Sequence, residues 1–212
     1  MGQEVVDVIK KLNEDNDMAG IIVQLPLPPQ FDKQAILDAV SPEKDDDVLG
    51  SVASEFFYSN KSTLALPTAN AVMKILEQIS VDFNDKKLVI LGQGPLVGKP
   101  VSHLLMNQGI VHDVVTKKTE ETLKMDLIRN ADILISAMGV PYAISADMVK
   151  EGVIIIDAGT SEMEGSIVGD VDFASVGSKA SYITPTPGGV GPVTVACLFE
   201  NVLQVAKQNI HE

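Results

Sequence analysis

The sequence predicts an α/β protein built from a Rossmann-like parallel-sheet domain and a smaller α/β domain, with a cleft between them. Three observations predict it. From residue 88 onward, short apolar runs alternate with segments of helical periodicity, the pattern of parallel strands joined by right-handed crossovers. A glycine-rich turn with Gly92, Gly94 and Gly98 joins the first of those strands to a helix. The 212 residues are 45% hydrophobic, enough for the core of one large domain or of two small ones.

In chain order, Val5, Val6, Ile9 and Leu12 follow helical spacing. The continuous apolar run at residues 20–25 suits a buried parallel strand. A Pro-Leu-Pro-Pro break follows, then a short helix marked by Ala35, Ile36, Ala39 and Val40, and an acidic loop at residues 43–47. Thr68 reads as an N-cap for a helix carrying Val72, Met73, Ile75, Leu76 and Ile79. The regular alternation then runs as a strand at 88–91, a helix at 96–107, a strand at 110–115 and a helix at 121–130. Strands at 133–137 and 153–157, with a helix between them, complete it. These elements place a Rossmann-like domain at residues 67–191. The first domain comprises residues 1–66, and the apolar helix at 193–208, within 192–212, is expected to pack back on it.

Charge and cysteine content exclude several classes. Sixteen basic residues against 29 acidic ones give a net charge of −13, which repels a phosphate backbone or an anionic membrane surface. Neither nucleic acid nor membrane is expected as a partner. The single cysteine, Cys197, lies in an apolar run and reads as a small core residue in a reducing, cytoplasmic setting. The opening residues are amphipathic and acidic, unlike a signal peptide. Val6 stands where a myristoylation signal needs Ser or Thr, and no apolar run reaches the roughly 20 residues that span a bilayer.

Several motifs could carry chemistry. The turn Gly92-Gln93-Gly94-Pro95-Leu96-Val97-Gly98 has the spacing GxGxxxG. In its strand–turn–helix context the backbone N–H groups and the helix dipole suit a pyrophosphate; the alternative is a structural glycine turn. Some 20 residues on, where an NAD fold usually carries an acid for the ribose 2′-hydroxyl, the chain has Lys117 and Lys118 and no carboxylate before Glu120. Two ammonium groups suit a 2′-phosphate and favour NADP, with NAD as the other possibility; ordinary solvated lysines are the alternative. Residues 184–192 hold three prolines and three glycines ahead of a helix, a rigid, side-chain-poor surface that a flat ligand can approach. Gln24 lies on the expected buried strand, so its amide needs a partner or a cleft. Asp45, Asp46 and Asp47 are contiguous, unlike the alternating ligands of a calcium loop, so no metal is expected. His103, His112 and His211 are scattered and suggest no nucleophile–base pair.

Five strings taken together resemble the bifunctional methylenetetrahydrofolate dehydrogenase/cyclohydrolases, the FolD family. They are the runs at residues 20–28, 42–47, 97–100, 168–173 and 184–196, in order along nearly the whole chain. The resemblance implies a folate-binding catalytic domain, a cofactor-binding domain, a homodimer and tetrahydrofolate derivatives as substrates. It implies an enzyme that oxidises 5,10-methylenetetrahydrofolate to the methenyl form and hydrolyses that to 10-formyltetrahydrofolate. Carried over by position, Gln24 looks like the active-site glutamine and Asp47 like the aspartate that binds the pterin. Pro187, Gly188, Gly189, Val190 and Gly191 look like the loop lining the folate and nicotinamide site. Gly92, Gln93, Gly94, Val97, Gly98, Lys117, Lys118, Gly139 and Thr160 fall where the family contacts its cofactor.

The chain departs from the family pattern at several points. The common Lys-Asp-Val-Asp-Gly is here Lys44-Asp45-Asp46-Asp47-Val48, Gly-Arg-Ser is Gly92-Gln93-Gly94, and Pro-Cys-Thr-Pro is Leu66-Pro67-Thr68-Ala69. Family members begin several tens of residues earlier, with a segment carrying Tyr-x-x-x-Lys. The expectation is therefore an N-terminally short form, truncated or divergent, with dehydrogenase chemistry better supported than cyclohydrolase chemistry. A silent folate- or nucleotide-binding scaffold is the rival reading.

Arg129 is the only arginine in the chain, so a 2′-phosphate must be held by lysine point charges. Replacing Lys117 and Lys118 together by alanine is expected to lower the NADP/NAD affinity ratio roughly tenfold, the size of a modest charge contact. Dissociation constants for both cofactors check this, and an unchanged ratio contradicts it.

Overall fold

A computed structural model of the chain describes residues 2–210. The chain divides into two compact units, the first made of the residues up to Pro67 and from Ala196 on, the second of Thr68–Val195.

In the first unit, helix α1 (Gln3–Glu14) and the short helix α2 (Lys33–Leu37) meet through Ile9, Ile36, Ile21 and Val40, which form one buried cluster. Asp32 caps α2, its carboxylate accepting from the Ala35 amide at 3.1 Å. The four-carbon stem of Lys44 lets its ammonium reach the end of α1, where it donates to the carbonyls of Leu12, Asn13 and Asp15 at 3.1, 2.8 and 2.7 Å. A cation satisfying orphan carbonyls at a helix C-terminus is favoured by both hydrogen bonding and the helix dipole. Helix α3 (Ser51–Tyr58), which the apolar spacing did not announce, buries Ala53 and Phe57. Asn201, 3% exposed, donates to the carbonyls of Asp46 at 2.7 Å and Ala65 at 2.9 Å.

Residues 20–25 are not a buried strand. Only Ile21 makes a ladder contact, an isolated bridge to Asp45 with its amide donating to the Lys44 carbonyl at 2.8 Å. A strand needs a neighbour of matching length; here the segment turns into prolines, and Ile22 and Gln24 are exposed.

Helix α4 (Pro67–Gln78) leads into the second unit; it starts one residue before Thr68, so Thr68 lies within the helix and is not its cap. The sheet is β1 (Leu88–Leu91), β2 (Asp113–Val115), β3 (Ile133–Ser136), β4 (Ile154–Asp157) and, after the hairpin β5 (Ser161–Met163) and β6 (Ser166–Val168), β7 (Tyr182–Ile183). Spatial order is β2-β1-β3-β4-β7, and every pairing is parallel. All four residues of β1 and of β3 are buried, as strands covered on both faces require. Helices α5 (Gly98–Asn107) and α6 (Glu121–Asn130) supply the crossovers around β1, β2 and β3. The expected helix between β3 and β4 is only a 3-10 turn, Ala146–Met148: Gly139, Pro141 and Gly152 interrupt that connection. A four-residue helix, α7 (Phe173–Val176), precedes β7, and α8 (Val190–Ile210) follows it. Cys197 is 1% exposed and in no disulfide. Among the described residues, no helix is long and apolar enough to cross a membrane.

Candidate functional site

The chain runs from β1 outward to β2 on one side, then returns to β3 on the other. The turn after β1 therefore lies at the switch point where α/β sheets bind ligands. Gly92 there has φ 97°, and a Cβ on it would lie 2.4 Å from the Ala137 carbonyl oxygen. A Cβ on Gly98 would lie 2.0 Å from the Gly92 carbonyl oxygen. Both glycines are thus demanded by backbone packing, whereas a Cβ on Gly94 would meet nothing within 4 Å. The open side at Gly94, the exposed Gln93 and the half-buried Val97 face the start of α5, which carries no side-chain cap. Gln93 Nε2 reaches the Gly98 carbonyl at 3.4 Å. An uncapped helix start beside a turn left open at Gly94 fits an anionic group.

Lys117 and Lys118 are exposed in the turn that ends β2, which is closed by the Thr119 hydroxyl accepting from the Thr116 amide at 2.9 Å. The next carboxylate, Glu120, is occupied: it caps α6, accepting from the Thr122 amide at 3.0 Å and the Leu123 amide at 3.1 Å. Hydrogen bonds from the Thr122 hydroxyl and these amides hold its pKa below the usual carboxylate value. It is not disposed as a ribose-binding acid. Gly139, with φ 65° and open space at its missing Cβ, follows β3, and the exposed Thr160 follows β4. Every candidate cofactor residue thus lies in a turn, or at the helix start directly after one, at the C-terminal edge of the same sheet.

Sequence reading missed what holds these turns. Asp157, at the end of β4, and Asp170 are 2% and 0% exposed. Asp157 accepts from the amides of Gly159, Asp170 and Val171 at 2.9, 3.2 and 2.9 Å. Asp170 accepts from the Ser136 hydroxyl and the Met138 amide, both at 2.7 Å, and from the Val140 amide at 2.8 Å. Burial pushes the Asp157 carboxyl up to about 6 against the opposing effect of its amide donors. Beside the pair is a cavity of about 290 Å³ whose lining includes Tyr142, Phe173, Thr184 and Thr186. The sequence signal was an aspartate closing the apolar run 153–156, which reads equally well as a solvated strand end.

The loop after β7 begins at Thr184, whose hydroxyl accepts from the Asp157 amide at 2.8 Å. Gly189 is sterically fixed, since its Cβ would lie 2.5 Å from the Pro185 carbonyl oxygen. Pro187, Gly188 and Gly191 are exposed, and Gly188 has φ 106°. Val190 is buried.

In the first unit, Gln24 is exposed, its amide donating to the Leu25 carbonyl at 2.9 Å, rather than buried on a strand. The Asp45 carboxylate accepts from the Gly50 amide at 2.7 Å. Asp47 is half-buried and raised to about 6, by burial and by Asp45. Val48 has φ 59°, a left-handed conformation costly for a β-branched residue, at the position where the family pattern has glycine. Asp46 is fully buried, and neither of its carboxylate oxygens has a partner. A Cβ on Gly20 would lie 1.5 Å from its Oδ2, so only glycine admits it. No group of three acidic, histidine or cysteine side chains suited to a metal occurs among the described residues. Contrary to the sequence reading, one histidine does pair with a hydroxyl: Ser102 Oγ and His112 Nε2 are 2.6 Å apart, with Nδ1 3.1 Å from the Ile110 carbonyl. His211 lies outside the described residues.

A parallel sheet with a glycine-built turn at its switch point, an uncapped helix start and lysines after the second strand defines a dinucleotide-binding α/β protein. Residues 66–210 match the family described as Tetrahydrofolate dehydrogenase/cyclohydrolase, NAD(P)-binding domain, and residues 1–47 match the catalytic domain of that description. The Bifunctional protein FolD of a Hydrogenobaculum species is 44% identical over 204 residues, 95% of this chain and 73% of that protein. The crystal structure of the FolD enzyme from Campylobacter jejuni superposes with a TM-score of 0.90 at 40% identity, covering 98% of this chain and 74% of that one. The Trypanosoma brucei FolD structure, complexed with NADP cofactor and inhibitor, gives 0.92 at 37% identity, covering 100% and 74%. The chain belongs to the tetrahydrofolate dehydrogenase/cyclohydrolase family.

Burial, reinforced by Asp45 and Asp47, raises the Asp46 carboxyl from 3.8 to about 7. A folded-state pKa above the unfolded one means that the folded state binds the extra proton, so the contribution of Asp46 to stability is most favourable below about pH 4, falls until about pH 7 and is level beyond. Asp46→Val, restoring the family residue, is expected to raise the melting temperature most above pH 7, where ionisation costs a few kcal/mol, and least near pH 4. Thermal unfolding of both proteins across that range checks this; an equal gain at both ends contradicts it.

Proposed function

We propose that the chain is an NADP-dependent methylenetetrahydrofolate dehydrogenase, oxidising 5,10-methylenetetrahydrofolate to the 5,10-methenyl form. The observation that carries this reading is the glycine turn at the sheet's switch point combined with lysines in place of the ribose-binding acid. Bound NADP would supply the acceptor for a hydride from the methylene carbon. The chain's own part is positioning, which can supply much of the acceleration of such a transfer. Gly92, Gln93, Gly94, Val97 and Gly98 receive the pyrophosphate, Lys117 and Lys118 the 2′-phosphate, and Gly139 and Thr160 the remainder of the cofactor. The loop from Pro187 to Gly191 contacts the folate, as does Asp47, whose raised pKa suits a carboxyl that shares a proton with a pterin. Gln24, exposed and able to rotate away from the Leu25 carbonyl, orients substrate or water. On this reading the domains are residues 1–66 with 192–212, and 67–191, and the enzyme works as a cytoplasmic homodimer without nucleic-acid or membrane partners.

Hydrolysis of the methenyl product needs a group that takes a proton from water, help typically worth roughly 10²–10⁴-fold. Within the 212 residues no tyrosine is followed by lysine at the family's spacing; Tyr58 has Lys61 three residues on. A glutamine amide cannot act as that base, so the 212-residue polypeptide is expected to form NADPH from 5,10-methylenetetrahydrofolate while leaving methenyltetrahydrofolate to hydrolyse near its uncatalysed rate. Two absorbance assays, for NADPH and for the methenyl compound, read both steps. Binding of NADP and folate with no NADPH formation would establish the silent-scaffold reading instead. Methenyl hydrolysis that is accelerated and survives Gln24→Ala would overturn the role given to Gln24.

A further inference from the structure

Asp157 and Asp170 are buried acceptors whose donors come from the turns that carry the candidate cofactor residues. Met138 and Val140, whose amides Asp170 holds, flank Gly139. Gly159, whose amide Asp157 holds, precedes Thr160. The Asp170 amide itself donates to Asp157 at 3.2 Å, so the two clamps form one network. The network reaches two further turns. A Cβ on Gly92 would collide with the Ala137 carbonyl, so the glycine turn rests directly on the segment that Asp170 pins. The Asp157 amide donates to the Thr184 hydroxyl, which ties in the loop after β7.

Two glycines show how closely the pair is enclosed. A Cβ on Gly159 would lie 2.2 Å from Asp170 Oδ1, and one on Gly169 would lie 2.1 Å from Asp157 Oδ2. Contacts this close fix the two carboxylates against the backbone of the turns they hold. An ionised carboxylate is an acceptor at both oxygens, and between them the two groups meet five amides and one hydroxyl. An amide side chain in either place would turn two N–H donors toward groups that are themselves donors. Buried polar networks fix a single conformation when fully satisfied and fail when one member is lost.

We propose that Asp157 and Asp170 are positioning residues for the dinucleotide. Through the amides they hold, they set the turns after β1, β3 and β4 as one rigid edge against which the cofactor seats. This rests on the reading of these turns as the NADP site. It assigns the function of cofactor affinity to side chains that do not themselves touch the cofactor.

The test compares Asp170→Asn, Gly159→Ala and Ser136→Ala with Ile128→Ala, a core truncation on α6 at a residue 0% exposed. NADPH binding is followed by its fluorescence, KM is measured for NADP and for 5,10-methylenetetrahydrofolate, and amide hydrogen exchange is read at Met138 and Val140. Asp170→Asn is expected to weaken NADPH binding at least about tenfold, with the folate KM changed far less and exchange at both amides accelerated. Gly159→Ala, which drives a methyl group into Asp170, should reproduce the pattern. Ser136→Ala, losing one donor, should give a smaller loss of roughly threefold. Ile128→Ala should lower the melting temperature while leaving NADPH affinity unchanged. If Asp170→Asn fails to fold, the other two variants decide the matter. Variants that lower the melting temperature as Ile128→Ala does, with NADPH affinity unchanged, would show a purely structural pair and overturn the proposal. A wild-type chain that binds no NADPH would overturn the dehydrogenase reading, and the inference with it.

Discussion

Where a parallel strand ends, its neighbours' amides lose their ladder partners, and the chain must find acceptors for them or expose them to water. In the second unit neighbouring strand carbonyls meet part of this demand, and two carboxylates, Asp157 and Asp170, at the C-terminal edge of the sheet meet another part. Burying a charge is costly unless it is hydrogen-bonded, and the network meets that condition with six donors. The upward shift of Asp157 shows that burial still outweighs those donors. What the arrangement secures is conformation. The turn at Gly139, the turn before Thr160 and, through backbone contact with Ala137, the turn at Gly92 are all referred to the same pair.

The first unit handles charge differently. Lys44 is used up on the end of α1, and Asp45 is absorbed by the amide of Gly50. Asp46 is left buried with no donor, at a position where the family pattern has an apolar valine. A carboxyl without a partner inside a protein relaxes by holding its proton, and its raised pKa expresses that. Asp47, next in line and half-buried, is raised by its own burial first and then by Asp45. The acidic run is therefore three groups in three environments and not a single negative patch.

Much of the fold was legible because its signals are local. The runs at 88–91, 133–137 and 153–157 are apolar enough to be strands in a doubly covered sheet, α1 shows clear periodicity, and the last helix is a long apolar segment. What failed was context. Residues 20–25 have the composition of a strand, but only Ile21 finds a neighbour. The segment between β3 and β4 is long enough for a helix but carries glycine and proline inside it. Helix α3 and the β5–β6 hairpin have too few periodic residues to stand out. At the candidate site, the glycine turn was visible from its spacing. That Gly92 and Gly98 answer to backbone packing while Gly94 stays open is a distinction that arises only in the folded chain. Asp157 and Asp170 were invisible as a pair because thirteen positions separate them and an aspartate in a loop ordinarily faces water.

The turns at the C-terminal edge of this sheet are the proposed seat of the nucleotide. The most direct measurement is the change in backbone amide resonances as NADP is titrated into the protein. Shifts are expected to concentrate at Gly92, Gly94, Val97, Gly98, Lys117, Gly139 and Thr160, with Met138 and Val140 following. Saturable binding that left those amides unmoved and shifted others would contradict it.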